Sequence, residues 1–96
     1  AVAGTARWRR RVAYDPAAVR RVHGEFARAY LAGTPQDAVG HARRLTALAP
    51  EAPGAWQLLE LAARAAGDAA LAAQAARARQ RAARRVPPGA TAPTAA

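Results

Sequence analysis

Residues 53–68 read Pro53-Gly54-Ala55-Trp56-Gln57-Leu58-Leu59-Glu60-Leu61-Ala62-Ala63-Arg64-Ala65-Ala66-Gly67-Asp68, and this stretch decides the fold. Proline opens it, Leu and Ala fill it, and Gly67 followed by Asp68 closes one helix and starts another. Glycine tolerates the left-handed backbone that ends a helix, and an Asp carboxylate caps the next one. The same punctuation stands 34 residues earlier, where Val22, Gly33, Ala38 and Ala42 are in register with Trp56, Gly67, Ala72 and Ala76. Each half reads as a helix, a tight glycine turn and a second helix. A fixed period of this size marks a helical repeat, whose stacked helix pairs build a binding surface in place of a catalytic pocket.

Working outward, Asp15-Pro16 is a helix start, with a carboxylate at the cap and proline in the first turn. Val19, Val22, Phe26 and Tyr30 follow at spacings of three and four and share one face. Arg20, Arg21, Glu25 and Arg28 take the other side, with Arg21 and Glu25 four apart, and Gly24 weakens this helix unless another packs closely against it. Thr34-Pro35 opens a second helix by the same logic, with Thr34 as cap and Ala38, His41 or Ala42, Leu45 and Leu48 or Ala49 as its buried stripe. Pro50 and Pro53 end it. In the third helix Trp56, Leu59 and Ala63 form one apolar line, with Leu58, Leu61 and Ala62 beside it; Trp56 and Leu59 are read as core. The fold expected is all-α: four helices at about 16–32, 35–49, 53–66 and 69–85, stacked as two antiparallel hairpins in one domain over 15–86. A flexible basic arm (1–14) precedes it, and a Pro/Ala-rich low-complexity tail (87–96) follows.

The core this chain can build is thin. Of its 96 residues 32 are Ala, and only 18 apolar side chains are larger. Burying a large aliphatic or aromatic side chain contributes roughly 1.5–3 kcal/mol and alanine far less, while ordering a residue costs roughly 1.5 kcal/mol. Association, with itself or inside a larger assembly, is therefore expected to stabilise it. The net charge is +9, from 15 Arg without a single Lys against six acids. Residues 1–14 carry +4 and residues 68–96 another +4, so the positive field sits at the ends. Coding in a GC-rich genome also favours Arg over Lys. The absence of Cys excludes disulfides, zinc–thiolate sites and cysteine nucleophiles. No apolar run approaches the ~20 residues that span a bilayer. A chain opening on Ala1 with no Met reads as processed or partial. Its compartment is left open: cytoplasmic or, if a leader was cleaved before Ala1, periplasmic or membrane-associated.

The pattern resembles the tetratricopeptide repeat over residues 19–86. Trp56-Gln57-Leu58-Leu59 reproduces that family's W-x-x-L opening, and Gly67 and Ala72 fall at its expected offsets. The first unit keeps Gly33, Ala38 and the closing Pro50, with Phe26 and Tyr30 as its large residues. Glu60 stands where the family has a small residue, Ala63 where it has Tyr, and Arg79 where it has a small packing residue. The resemblance implies that the first helix of each pair lines a concave groove. Its candidates are Arg20, His23, Ala27 and Tyr30, then Gln57, Leu61 and Arg64, a set suited to an acidic or C-terminal peptide.

No constellation for catalysis is visible. Serine and cysteine are absent, His23 and His41 lie 18 residues apart on different helices, and three of the six scattered acids sit where they serve helix N-termini. Catalytic and metal-binding residues, cofactors and a small-molecule substrate are accordingly expected to be none. The function expected is a non-catalytic adaptor or accessory subunit of a larger complex. Its basic ends, Trp8, Arg9, Arg10 and Arg11 with Arg77, Arg81 and Arg84, would dock acidic protein partners. The rival is a nucleic-acid-binding module. Arg77, Arg81 and Arg84 recur at helical spacing and suit a phosphate backbone, Trp8 suits base stacking, and Gln80 is the one candidate base reader on that helix. Trp8 beside Arg9–Arg11 also suits an anionic membrane surface.

Overall fold

The computed structural model describes residues 15–85, which form four α-helices and no strand. They are α1 (Pro16–Leu31), α2 (Pro35–Leu48), α3 (Pro53–Ala65) and α4 (Ala69–Arg85), each ending within one residue of its expected boundary. The expected arm at 1–14 and the tail at 87–96 lie outside the described residues, as does Val86.

Local chemistry explains the boundaries. Proline occupies the first turn of α1, α2 and α3, where its fixed φ suits a helix and its missing N–H costs nothing. The Asp15 carboxylate accepts from the Ala18 N–H at 3.1 Å, and Asp68 accepts from Leu71 N–H at 3.0 Å. Gly33 and Gly67 adopt φ of +79° and +78°. After α1, the Gly33 N–H donates to the Tyr30 carbonyl and the Thr34 N–H to the Ala29 carbonyl; after α3, Gly67 donates to Arg64 and Asp68 to Ala63. Both are Schellman turns. The 34-residue echo is thus a repeated backbone motif in which Thr34 or Asp68 closes one helix and precedes the next. The two differ in one respect: Thr34 makes no side-chain cap, and its hydroxyl donates backwards to the Ala29 carbonyl at 2.9 Å.

Helices consecutive in sequence pack on one another, giving hairpins α1–α2 and α3–α4 joined through α2 against α3. One apolar cluster runs through both, containing Val22, Phe26 and Leu45 from the first hairpin and Leu59 and Leu71 from the second, with alanines between. In α2 the buried stripe runs through Ala42 and not His41, which is half-buried.

Several expectations are corrected by packing. Leu59 is 3% exposed, but Trp56 is only half-buried at the cluster's edge. Its indole N–H donates to the Pro50 carbonyl at 2.8 Å, so Trp56 ties down the α2–α3 connection instead of filling the core. Leu61, one of the groove candidates, is 43% exposed, as a groove-facing residue would be. Glu25 does not pair with Arg21 but crosses to α2, meeting Arg44 at 3.1 Å with His41 Nδ1 at 3.9 Å. Nothing approaches within 4 Å of the place a Cβ would take on Gly24, so no close helix contact explains that glycine.

Candidate protein-interaction surface

Three surfaces bear on function. The first is an open cleft of about 350 Å³ where α1, α2 and α3 converge. Val19, Leu45, Ala49, Ala55 and Leu58 make its apolar lining, and His23 and Gln57 add polar groups. His23 and Gln57 are register equivalents, and the stacking of hairpins brings them to one opening. Two expected groove residues therefore meet here.

The second lies at the other end of α3. Gln57, Leu58, Leu61 and Arg64 of that helix and Arg79 of α4 line an open cleft of about 280 Å³ around Glu60. Glu60 is 7% exposed and makes two ion pairs: its Oε2 with Arg64 Nη2, one turn away, and its Oε1 with Arg79 Nε at 3.2 Å. Neutralisation by two guanidiniums is what allows a carboxylate to sit among alanines. Arg64, expected as a groove cation, thus already holds a carboxylate of its own chain.

Tyr30 and Arg20 stand apart from both clefts. The Tyr30 ring stacks on Phe26 with centroids 5.8 Å apart and packs against the core, so it is partly committed to structure. Arg20 is exposed and lines neither cleft. Ala27 is half-buried.

The third surface is the outward side of α4. Arg77, Arg81 and Arg84 are exposed, and among the described residues no carboxylate lies within 4.0 Å of them. Arg84 and Arg85 also occupy the last turn, where positive charge complements the helix dipole. Trp8, Arg9, Arg10 and Arg11 lie outside the described residues.

The Glu60–Arg79 pair does not follow from helical periodicity, although the sequence carries a signal for it. Glu60 and Arg79 are two of the departures from the repeat pattern, and they lie 19 residues apart. Glu25 and Arg44, also 19 apart but one position earlier in the 34-residue register, likewise bond across the first hairpin. Among the described residues no group of three or more His, Asp or Glu side chains is placed to hold a metal ion, and no helix is long and apolar enough to cross a membrane. No protein-family model, curated protein or solved structure matches the chain.

Proposed function

We infer that the chain is a non-catalytic protein–protein interaction module, a tetratricopeptide-like pair of hairpins serving as an adaptor or accessory subunit of a larger complex. An acidic protein partner seats an apolar side chain in the α1–α2–α3 cleft beside His23 and Gln57, and its carboxylates meet the exposed guanidiniums of Arg77, Arg81 and Arg84. The basic stretch Trp8 and Arg9–Arg11 adds to the attraction by charge alone. The observation that carries this reading is the apolar lining of an open cleft on a strongly basic chain. Apolar anchors in pockets supply most of the energy of protein interfaces, whereas charges mainly steer and select.

One observation favours a second reading, non-specific nucleic-acid binding: the exposed row Arg77, Arg81 and Arg84 on α4, which meets no carboxylate among the described residues. The two separate in a salt titration. Binding of a fluorescent acidic peptide with one leucine is compared with binding of DNA and RNA duplexes. Phosphate-backbone binding falls steeply and log-linearly with salt, because each neutralised phosphate releases counterions. Replacing the exposed rim residues together without adding charge, His23→Ala with Gln57→Ala, is expected to weaken the peptide by up to about tenfold, some 1.4 kcal/mol, and to leave nucleic acid unaffected. Salt-steep DNA and RNA binding without any peptide binding would establish the second reading instead.

A further inference from the structure

The 34-residue register places Glu60, Arg64 and Arg79 at the positions of Phe26, Tyr30 and Leu45. In the first hairpin these positions are apolar. Phe26 and Leu45 are 4% and 2% exposed and share a cluster with Ala55, Leu59 and Ala62 of α3, and the stacked Tyr30 packs against it. What covers this end of the first hairpin is a helix: α3 packs on α2 and places Ala55, Leu59 and Ala62 in the same buried cluster as Leu45. The second hairpin presents the corresponding end with no described helix over it. There the side chains of Arg64 and Arg79 are 69% and 39% exposed, and Leu61 is 43% exposed beside them.

The chemistry of this end differs from its counterpart in a way that specifies the occupant. Two guanidiniums share one carboxylate, which leaves a net charge of +1 and several N–H donors unused. Leu58 and Leu61 add apolar surface alongside. A row of phosphates would bring several negative charges beside Glu60, whereas a helix can bring one carboxylate together with apolar side chains. Residues 1–14 and 86–96 lack that chemistry: the first contain four Arg and no acid, and the second contain no acid.

We propose that the open end of the second hairpin docks one amphipathic helix of a partner protein, its aliphatic stripe on Leu58 and Leu61 and its carboxylate on Arg64 and Arg79. The helix occupies the place that α3 holds on the first hairpin, over ion-paired side chains where the first hairpin has its Phe26–Tyr30 stack. This rests on the interaction-module reading and names the partner's form.

The test uses the full chain, isotope-labelled, titrated with a synthetic helical peptide carrying one leucine stripe flanked by glutamates. A second peptide has every glutamate replaced by lysine. Amide shifts centred on Leu61, Arg64 and Arg79 are expected with the first peptide and none with the second. Arg64→Gln, at a side chain exposed enough to leave the fold intact by circular dichroism, is expected to weaken binding about tenfold. Equal affinity of Arg64→Gln, or no binding by the glutamate peptide, overturns the proposal. Shifts confined to Arg77, Arg81 and Arg84 or to the His23 cleft also overturn it, while leaving the interaction module standing. Binding of DNA with neither peptide overturns both.

Discussion

The two hairpins share a backbone plan and differ in what holds them. The first buries three large apolar side chains, Val22, Phe26 and Leu45, with Ala18, Ala38 and Ala42. The second buries only Leu59 and Leu71, with seven alanines (Ala55, Ala62, Ala63, Ala72, Ala75, Ala78 and Ala82). Side-chain burial at roughly 25 cal/mol per Å² gives the first hairpin the larger hydrophobic share. Alanine lets helix backbones approach closely, so the second hairpin relies on tight backbone packing, intrinsic helix propensity and the Glu60 ion pairs. A repeat can therefore keep its turns while its side chains follow what covers each unit. The covered hairpin is apolar at its three shared positions; the uncovered one is ionic.

Breaking the larger core should have the larger effect. Phe26→Ala removes a buried ring and its stack on Tyr30, and is expected to cost about 3–5 kcal/mol in urea unfolding followed by circular dichroism. Leu59→Ala is expected to cost about 2–3 kcal/mol, since helices spaced by alanine close part of the space left behind. A Leu59 cost above that of Phe26 would reverse the ranking of the two cores.

The ionic contrast comes next. Glu25 and Glu60 each bond an arginine 19 residues on, but their side chains are 32% and 9% exposed. Glu25→Ala is expected to cost under about 0.5 kcal/mol, as exposed pairs do. Glu60→Ala leaves two arginines without their shared anion; because both are partly in water, about 1–2 kcal/mol is expected in place of the full cost of a buried orphan charge. Equal losses in the same unfolding measurement would show that burial of Glu60 does not matter.

The two glycines differ in the sign of the effect. Gly67 has φ +78° and Gly24 an ordinary helical backbone, and neither has atoms crowding its missing Cβ. Gly67→Ala is expected to destabilise by about 1 kcal/mol through left-handed strain alone. Gly24→Ala is expected to stabilise by about 0.5–1 kcal/mol, because alanine has less freedom to lose. Opposite shifts in melting temperature check both, and shifts of one sign would mean that the turn glycine is not conformationally required.

Much of the fold was legible in the chain because its punctuation is local. Asp15-Pro16, Pro35, Pro53, Gly33 and Gly67-Asp68 act on their own backbone or within one turn of it. The site was legible only in part. His23 and Gln57 were expected on one groove and do share a cleft. Arg64 was expected as a groove cation and is engaged by Glu60, and Arg79, expected only as a departure from the repeat pattern, shares that carboxylate. Trp56 looked like core because it is the largest apolar residue of its helix, yet its N–H finds the Pro50 carbonyl at the surface of the cluster.

The sequence by itself determined where helices begin and end, since capping, proline and left-handed glycine are decided by neighbours along the chain. It determined too that charge accumulates outside the 15–67 segment, where Arg and acids nearly balance. Only the tertiary structure decided which charges cancel. Glu25 had Arg21 within one turn and took Arg44 from the facing helix; Glu60 took Arg64 from its own helix and Arg79 from the next. The reason is geometric: residues 19 apart meet only once a hairpin closes, and a carboxylate that becomes buried must take the cation that closure brings.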